Sequence, residues 1–482
     1  MDNIKIKKQV VSGTVWRFME NTITRGVSFI VSMILARLLV PDEYGKVAII
    51  SMFLGVFTIL IDGGFGAALI QKKEVDMTDY STVLFVSFGV SALLYLFLFF
   101  GSPLAAWFYK IDELKPAMRV MGLVVFPTAI KCVENAYLSR RMEFKKFFFA
   151  TLGGTLASAA VGIYMAVNGF GLWALVFQTL TNELIDTVIL TIVVGWDLHL
   201  KFSVERVKPL FFYGSKLMLS SLIASVYSYL RGFMIGKVYT TEDLAYYERG
   251  EKVPRLLSDC IDAAMGSVLF SAFSKYQDSI ELLKKGAKRA VRLSAFMMAP
   301  VIFGVLGIAK EGIIVLFSNK WIGAIPYMYI FAISYLFMPV NSTNLRIVLA
   351  KGESDLYFRM TIYKMLSGLF VIIFFLKRGV LLFAMSSLIS TVISTYINSS
   401  NSKRLADYGI LEQVRDIAPY YGRALLMFLC IKLVDLLEWS ELPTMIIKIM
   451  LGVFVYVVLS VVRKEENLYY SIGLAKSYLK KG

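Results

Sequence analysis

Runs of about 20 apolar residues recur along the whole of this 482-residue chain, and each is long enough to cross a hydrocarbon core of about 30 Å. They lie near residues 12–38, 44–65, 81–107, 117–138, 146–167, 171–194, 209–236, 251–272, 291–317, 324–348, 357–376, 379–401, 417–436 and 442–462, about fourteen in all. Lipid leaves backbone N–H and C=O groups unsatisfied, so a spanning segment must be a helix or part of a closed barrel. Runs this long lack the alternation of barrel strands. The expectation is an all-α integral membrane protein. A chain that is 57% hydrophobic and 18% charged has too little polar sequence to coat a soluble core. Links between the runs are mostly short, so no soluble catalytic domain is inserted. The first run is long and charged inside, and does not read as a cleavable leader.

A net charge of +16 would suit nucleic acid, but the cations follow the alternation of the loops. With Lys5, Lys7 and Lys8 in the cytoplasm, the same side collects Lys72, Lys73, Arg140, Arg141, Lys145, Lys146, Lys201, Arg206 and Lys208. It also collects Lys275, Lys284, Lys285, Lys288, Arg289, Lys403, Arg404, Arg463, Lys464, Lys476, Lys480 and Lys481, while the opposite loops are poorer. This positive-inside bias puts both termini in the cytoplasm and removes nucleic acid as a partner. Cys132, Cys260 and Cys430 lie within apolar runs without ligand spacing and read as small buried residues, so no metal site is expected. The single histidine, His199, falls in a cytoplasmic loop, which excludes a histidine-based site or proton relay inside the membrane.

Two stretches repeat each other, Ile34 to Gly45 and Met234 to Ala245. Each offers a small residue, a cation (Arg37 or Lys237), a short apolar patch, an N-cap candidate (Asp42 or Thr241) and an acidic pair, as where one membrane helix ends and the next begins. A second echo pairs Phe126-Pro127 and Tyr137 to Arg140 in the fourth span with Met338-Pro339 and Val348 to Lys351 in the tenth. Six spans separate the two copies, so the repeats are parallel, related by an axis along the membrane normal. The expected division is an N-lobe at 1–200 and a C-lobe at 201–405, each of six helices, with two further spans and a tail at 406–482. A duplicated membrane bundle of this kind suggests a transporter.

The order of motifs resembles the polysaccharide flippases (Wzx-type) of the polysaccharide transporter family. The residues that carry it are Leu35 to Gly45, Asp62-Gly63-Gly64-Phe65, Ala68 to Lys73, Gly169 to Leu175, and Ile235 to Lys237 continuing to Tyr246 and Tyr247. The resemblance implies a bacterial plasma-membrane protein of the multidrug/oligosaccharidyl-lipid/polysaccharide superfamily, with two lobes around a central cavity. It implies an undecaprenyl-pyrophosphate-linked oligosaccharide as cargo, flipped to the outer leaflet for capsule, O-antigen or exopolysaccharide assembly. Membrane lipids, and a polysaccharide polymerase with its chain-length machinery, are the partners to consider. No cofactor or enzymatic step is implied; coupling to H+, Na+ or the membrane potential is open.

Charge inside a span is costly and therefore selects candidates. Arg17, Asn21 and Arg25 fall at i, i+4, i+8 of the first span, with Glu20 one turn from Arg17. They make a polar stripe expected to line the cavity, Arg17 and Arg25 drawing the anionic head group; the competing reading is a local Arg17–Glu20 pair that snorkels to the interface. Lys216 and Arg231 are the counterparts in the second half, and Arg346 serves the cavity or a phospholipid head group. Lys131 and Glu134 share a face and either neutralise each other or form a gate. Asp259 and Asp262, near Arg255, and likewise Glu183 and Asp186, are candidates for ion coupling or for plain charge compensation. Gly154, Ser158 and Gly162 allow close helix approach, while Pro127, Pro300 and Pro339 mark hinges or fixed kinks. Residues 274–292 read as a basic amphipathic helix on the membrane surface, and Trp107, Tyr109, Trp173 and Trp321 as interface anchors. The alternatives are a multidrug or cation exporter, expected to have about twelve spans and a less basic cavity, and a membrane polysaccharide polymerase, which would need a large outer catalytic loop.

Overall fold

A computed structural model describes residues 12–13, 15–17, 19–195, 201–437, 439–465 and 467–468, without the side chains of residues 21, 264 and 266–272. Lys5, Lys7, Lys8, His199, Lys476, Lys480 and Lys481, and the side chain of Asn21, lie outside this description. Most of the described residues are helical, and none is in a strand. Among the described residues eleven helices are long and apolar enough to cross a membrane, or twelve if Asn319–Tyr335 and Met338–Ala350, bent by 42°, count as one span. Two expected spans do not qualify among the described residues. Residues 12–38 contain a π-helical turn, Glu20–Thr24, before α1 (Arg25–Leu38), and residues 251–272 lie in α10 (Thr241–Lys275), several of whose side chains are outside this description.

The chain forms two compact units, 1–245 and 246–482, the division falling within α10. The first holds α2 (Pro41–Asp62), α3 (Phe65–Gln71), α4 (Met77–Tyr109), α5 (Leu114–Met121), α6 (Val125–Arg141), α7 (Phe144–Val167), α8 (Leu172–Val194) and α9 (Val204–Val238). α7 and α8 make its most extensive contact. The expected small-residue stripe causes this: a Cβ on Gly154 would come within 2.8 Å of Asp186 and one on Gly162 within 3.0 Å of Gln178, while Ser158 accepts a hydrogen bond from Asn182.

Two motifs of the sequence acquire a steric reason. Gly63 and Gly64 are both left-handed (φ 54° and 73°), and a Cβ on Gly64 would lie 2.2 Å from the Gly214 carbonyl oxygen of α9. A Cβ on Gly45 would lie 1.8 Å from the Thr241 carbonyl oxygen. The two repeated landmarks thus touch, and the Thr241 hydroxyl also donates to the Asp42 carboxylate. Their caps sit two residues before Asp42 and one before Thr241, the candidates the sequence suggested. Val40 and Thr240 precede the helices, and the acid three residues on, Glu43 or Asp243, accepts the free N–H at 3.0 or 3.3 Å.

The second unit holds the remainder of α10 with α11 (Ile280–Gly307), α12 (Ala309–Phe317), α13 (Ile325–Tyr335), α14 (Met338–Ala350), α15 (Ser354–Phe375), α16 (Val380–Ala406), α17 (Ile410–Leu433) and α18 (Glu441–Val462). α11 packs along α17 through Leu283, Ala287, Val291, Tyr408, Ile417 and Tyr420. The basic stretch expected as a surface helix is instead the start of α11. Leu283, Ala287 and Val291 are covered by protein while Ile280 and Leu282 stay exposed, and Lys284, Lys288 and Arg292 pair with Asp407, Glu412 and Asp416 at 2.9, 2.9 and 2.6 Å. Trp321 and Tyr109 are likewise buried rather than anchoring, with the Arg249 guanidinium 4.5 Å from the Trp321 ring. Among the cysteines, Cys260 is exposed rather than buried. The echo of the fourth and tenth spans survives as matched breaks: a 3-10 turn, Gly122–Val124, precedes Pro127, and the bend at residues 336–337 precedes Pro339.

Candidate functional site

In the first unit the membrane-embedded charges gather on α6 and α8. The Lys131 ammonium lies 2.8 Å from Glu183 and 2.7 Å from Asp186. It does not meet Glu134, as the spacing within α6 had suggested, because α6 packs against α8 and brings two carboxylates closer than the one on its own helix. Glu134 is fully buried; Thr191 donates to its Oε1 at 2.5 Å, and its Oε2 has no hydrogen-bond partner among the described residues. One ammonium and three carboxylates share this interior.

The first-span stripe is placed differently. Arg17 is half exposed, pairs with Glu20 at 2.7 Å, and sits over the rings of Phe144 and Phe147 at 5.7 and 5.1 Å. This is the geometry of the local pair. Arg25 is exposed at the start of α1. Lys216 is exposed on α9 with its ammonium 4.9 Å from the Phe212 ring, and Arg231 is partly buried on the same helix.

In the second unit Arg346 of α14 pairs with Asp262 of α10 at 2.8 Å, and the Ser342 hydroxyl donates to the same carboxylate. Asp262 therefore answers a neighbouring helix. Asp259 stays apart, half exposed and 3.7 Å from Arg255, which also lies 3.6 Å from Glu251. A buried neutral network of Asn344, Ser399 and Gln413 ties α14, α16 and α17.

The sequence reading missed a fully buried ammonium. Lys448 of α18 lies 2.7 Å from Glu311 of α12, contacts Asp435, and donates to the Gly307 carbonyl. Its signal was present as the one cation interrupting the last apolar run. Lys448 also borders an apolar groove of about 380 Å³ whose other walls include Pro300, Gly304, Met427, Gly452 and Val453. The groove lies wholly within residues 246–482.

Loop charges form latches. Arg206 bridges Asp76 and Asp79, and Lys72 reaches Asp79 at 2.7 Å. The Arg206 hydrogen bond holds the Asp76 carboxyl below the ordinary carboxylate range. Hydrogen bonds from Lys403 and Lys284 push the exposed Asp407 carboxyl down to about 2.

The profile of the family described as polysaccharide biosynthesis protein matches residues 34–326. A succinoglycan biosynthesis transport protein, ExoT, of Rhizobium meliloti (strain 1021) is 25% identical over 355 residues, 73% of this chain and 71% of that protein. The teichuronic acid biosynthesis protein TuaB of Bacillus subtilis (strain 168) is 23% identical, covering 73% and 74%, and the lipopolysaccharide biosynthesis protein WzxC of Escherichia coli (strain K12) is 21% identical, covering 75% and 74%. Among solved structures, the lipid II flippase MurJ in an inward closed conformation superposes with a TM-score of 0.75 at 14% identity, over 95% of this chain and 100% of that one. An inward-facing multidrug resistance MATE family transporter of the MOP superfamily gives 0.60 at 15% identity, over 79% and 95%. These two share the fold. The match covers more than half of the chain, so the chain belongs to the polysaccharide biosynthesis protein family, and the relatives similar to it are named as polysaccharide transport and biosynthesis proteins.

Proposed function

We propose that the protein flips undecaprenyl-pyrophosphate-linked oligosaccharide repeat units across the bacterial plasma membrane by alternating access, without chemical conversion of the cargo. The observation that carries this reading is the groove of about 380 Å³, apolar but for Lys448 and Tyr456; that ammonium is neutralised by Glu311 and Asp435, and the Tyr456 hydroxyl donates to the Phe296 carbonyl. A wall of this kind suits a polyprenyl chain, while the sugar head needs a polar route that lipid does not offer. Arg25, Lys216 and Arg231 are proposed to draw the anionic head group. Arg17 and Arg346 act through their carboxylates Glu20 and Asp262, with Lys131 and Glu134 as a polar element between helices. Glu183, Asp186, Asp259 and Asp262 are the groups through which H+ or Na+ coupling would run, and lobes at 1–200 and 201–405 with a terminal segment at 406–482 are the proposed moving parts. The names of the relatives, which span succinoglycan, teichuronic acid and lipopolysaccharide biosynthesis, support the substrate class.

The test is reconstitution in liposomes holding a fluorescent undecaprenyl-pyrophosphate oligosaccharide, with a membrane-impermeant quencher added outside. Protein-dependent movement of the label between leaflets is expected. A rate equal to that of empty liposomes, with the cognate glycan supplied, would sink the proposal.

A further inference from the structure

Lys364 stands at residue 11 of the 22 in α15. Each end of the helix is about 15 Å away at about 1.5 Å per residue, farther than a four-carbon stem extends to reach an interface. The side chain also faces protein rather than lipid. Met360, Gly368 and Val371, at i−4, i+4 and i+7, are buried, whereas Tyr363, Leu366, Phe370 and Ile373 on the other face are exposed. One turn away on the same face, Met360 packs with Val348 of α14 and Ile397 of α16.

The two helices that pack most on α15 are α16 and α14, and neither contains an aspartate or glutamate. The charged groups they bring are cations: Arg346 on α14, and Lys403 and Arg404 at the end of α16. On α15 itself the sole acid is Asp355, nine residues earlier. Among the described residues the Lys364 ammonium forms no hydrogen bond or ion pair, in contrast to Lys131 and Lys448, which each meet two carboxylates. A charge held at mid-membrane on a protein-facing surface, beside helices α14 and α16 that carry no acid, is costly unless something anionic arrives to meet it.

We propose that Lys364 receives the diphosphate of the lipid-linked cargo as it passes the membrane midplane. The inference rests on the flippase reading and adds to it a defined anion contact on α15. An ammonium with three donors and no acceptor suits phosphate oxygens, and the neutral polar residues of α14 and α16 leave it uncommitted in the empty protein.

The experiment uses the full-length protein in nanodiscs, titrated with undecaprenyl pyrophosphate and, separately, with undecaprenol, bound ligand being read by native mass spectrometry. Wild type should prefer the diphosphate; Lys364→Met should lose about tenfold or more of that preference, Lys364→Arg should keep most of it, and undecaprenol binding should not change. Thermal unfolding of Lys364→Met at or above the wild-type temperature is also expected, since no partner is stranded. An unchanged diphosphate preference in Lys364→Met, or a marked loss of its stability, overturns the assignment while leaving the flippase reading intact. Wild type with no preference for the diphosphate would instead overturn the lipid-linked cargo, and this contact with it.

Discussion

Lys448 shows how a membrane interior tolerates charge. Its ammonium is fully buried, but Glu311, Asp435 and the Gly307 carbonyl surround it, so the cost of desolvation is offset by close partners. Removing one member strands the others. Lys448→Ala is expected to cost about 3–5 kcal/mol of stability, read by chemical unfolding in detergent, whereas Lys448→Met combined with Glu311→Gln should recover most of the loss. Failure of the double variant to recover would show that the pair is not the source of the cost. Lys131 obeys the same logic with Glu183 and Asp186, and there Glu134 remains with one carboxylate oxygen unpartnered. These residues were legible as candidates because ionisable side chains are rare in apolar runs; their partners were not, since Lys131 chose α8 over its own helix.

At the scale of elements, the closest approaches are made where side chains are missing. The Gly64 contact with Gly214 lets α9 lie against the end of α2, so Gly64→Ala should destabilise by about 1–3 kcal/mol through overpacking and an unfavourable backbone. Gly89→Ala on α4, where a Cβ meets nothing within 4 Å, should be neutral or stabilising by about 0.5–1 kcal/mol. Comparable thermal shifts for the two would refute this steric account. The turn between α16 and α17 is fastened to α11 by electrostatics. Asp407 is lowered from 3.8 to about 2, so its contribution is complete above about pH 4 and disappears as pH falls through about 2. Asp407→Asn should therefore remove a component of acid sensitivity confined to that window, measured by intrinsic fluorescence against pH; an unaltered acid profile would count against the latch. Because Asp407 is exposed, the effect is small.

For the whole molecule, the distribution of loop cations gives an orientation that can be checked directly. In a background lacking Cys132, Cys260 and Cys430, cysteines placed at Lys73 and Lys403 should react with an impermeant maleimide only from the cytoplasmic side. Cysteines at Lys110 and Trp439 should react only from outside. The reverse pattern would invert the topology and the direction assigned to transport.

The sequence by itself determined that this chain lives in lipid, that it is helical, and that it carries a duplicated transporter-like pattern, because hydrophobic run length and loop charge are local quantities that survive without a fold. It also marked Gly45, Gly64 and the Gly154 stripe as special, though not what they approach. Only the tertiary structure decided which carboxylate answers which cation: Glu20 for Arg17, Asp262 for Arg346, Glu183 and Asp186 for Lys131. It alone made the basic stretch at 274–292 in large part the start of a helix packed on α17, and it separated the compensated lysines from Lys364. The reason is that ion pairing depends on distances between helices, and those distances are set by packing that no single span encodes.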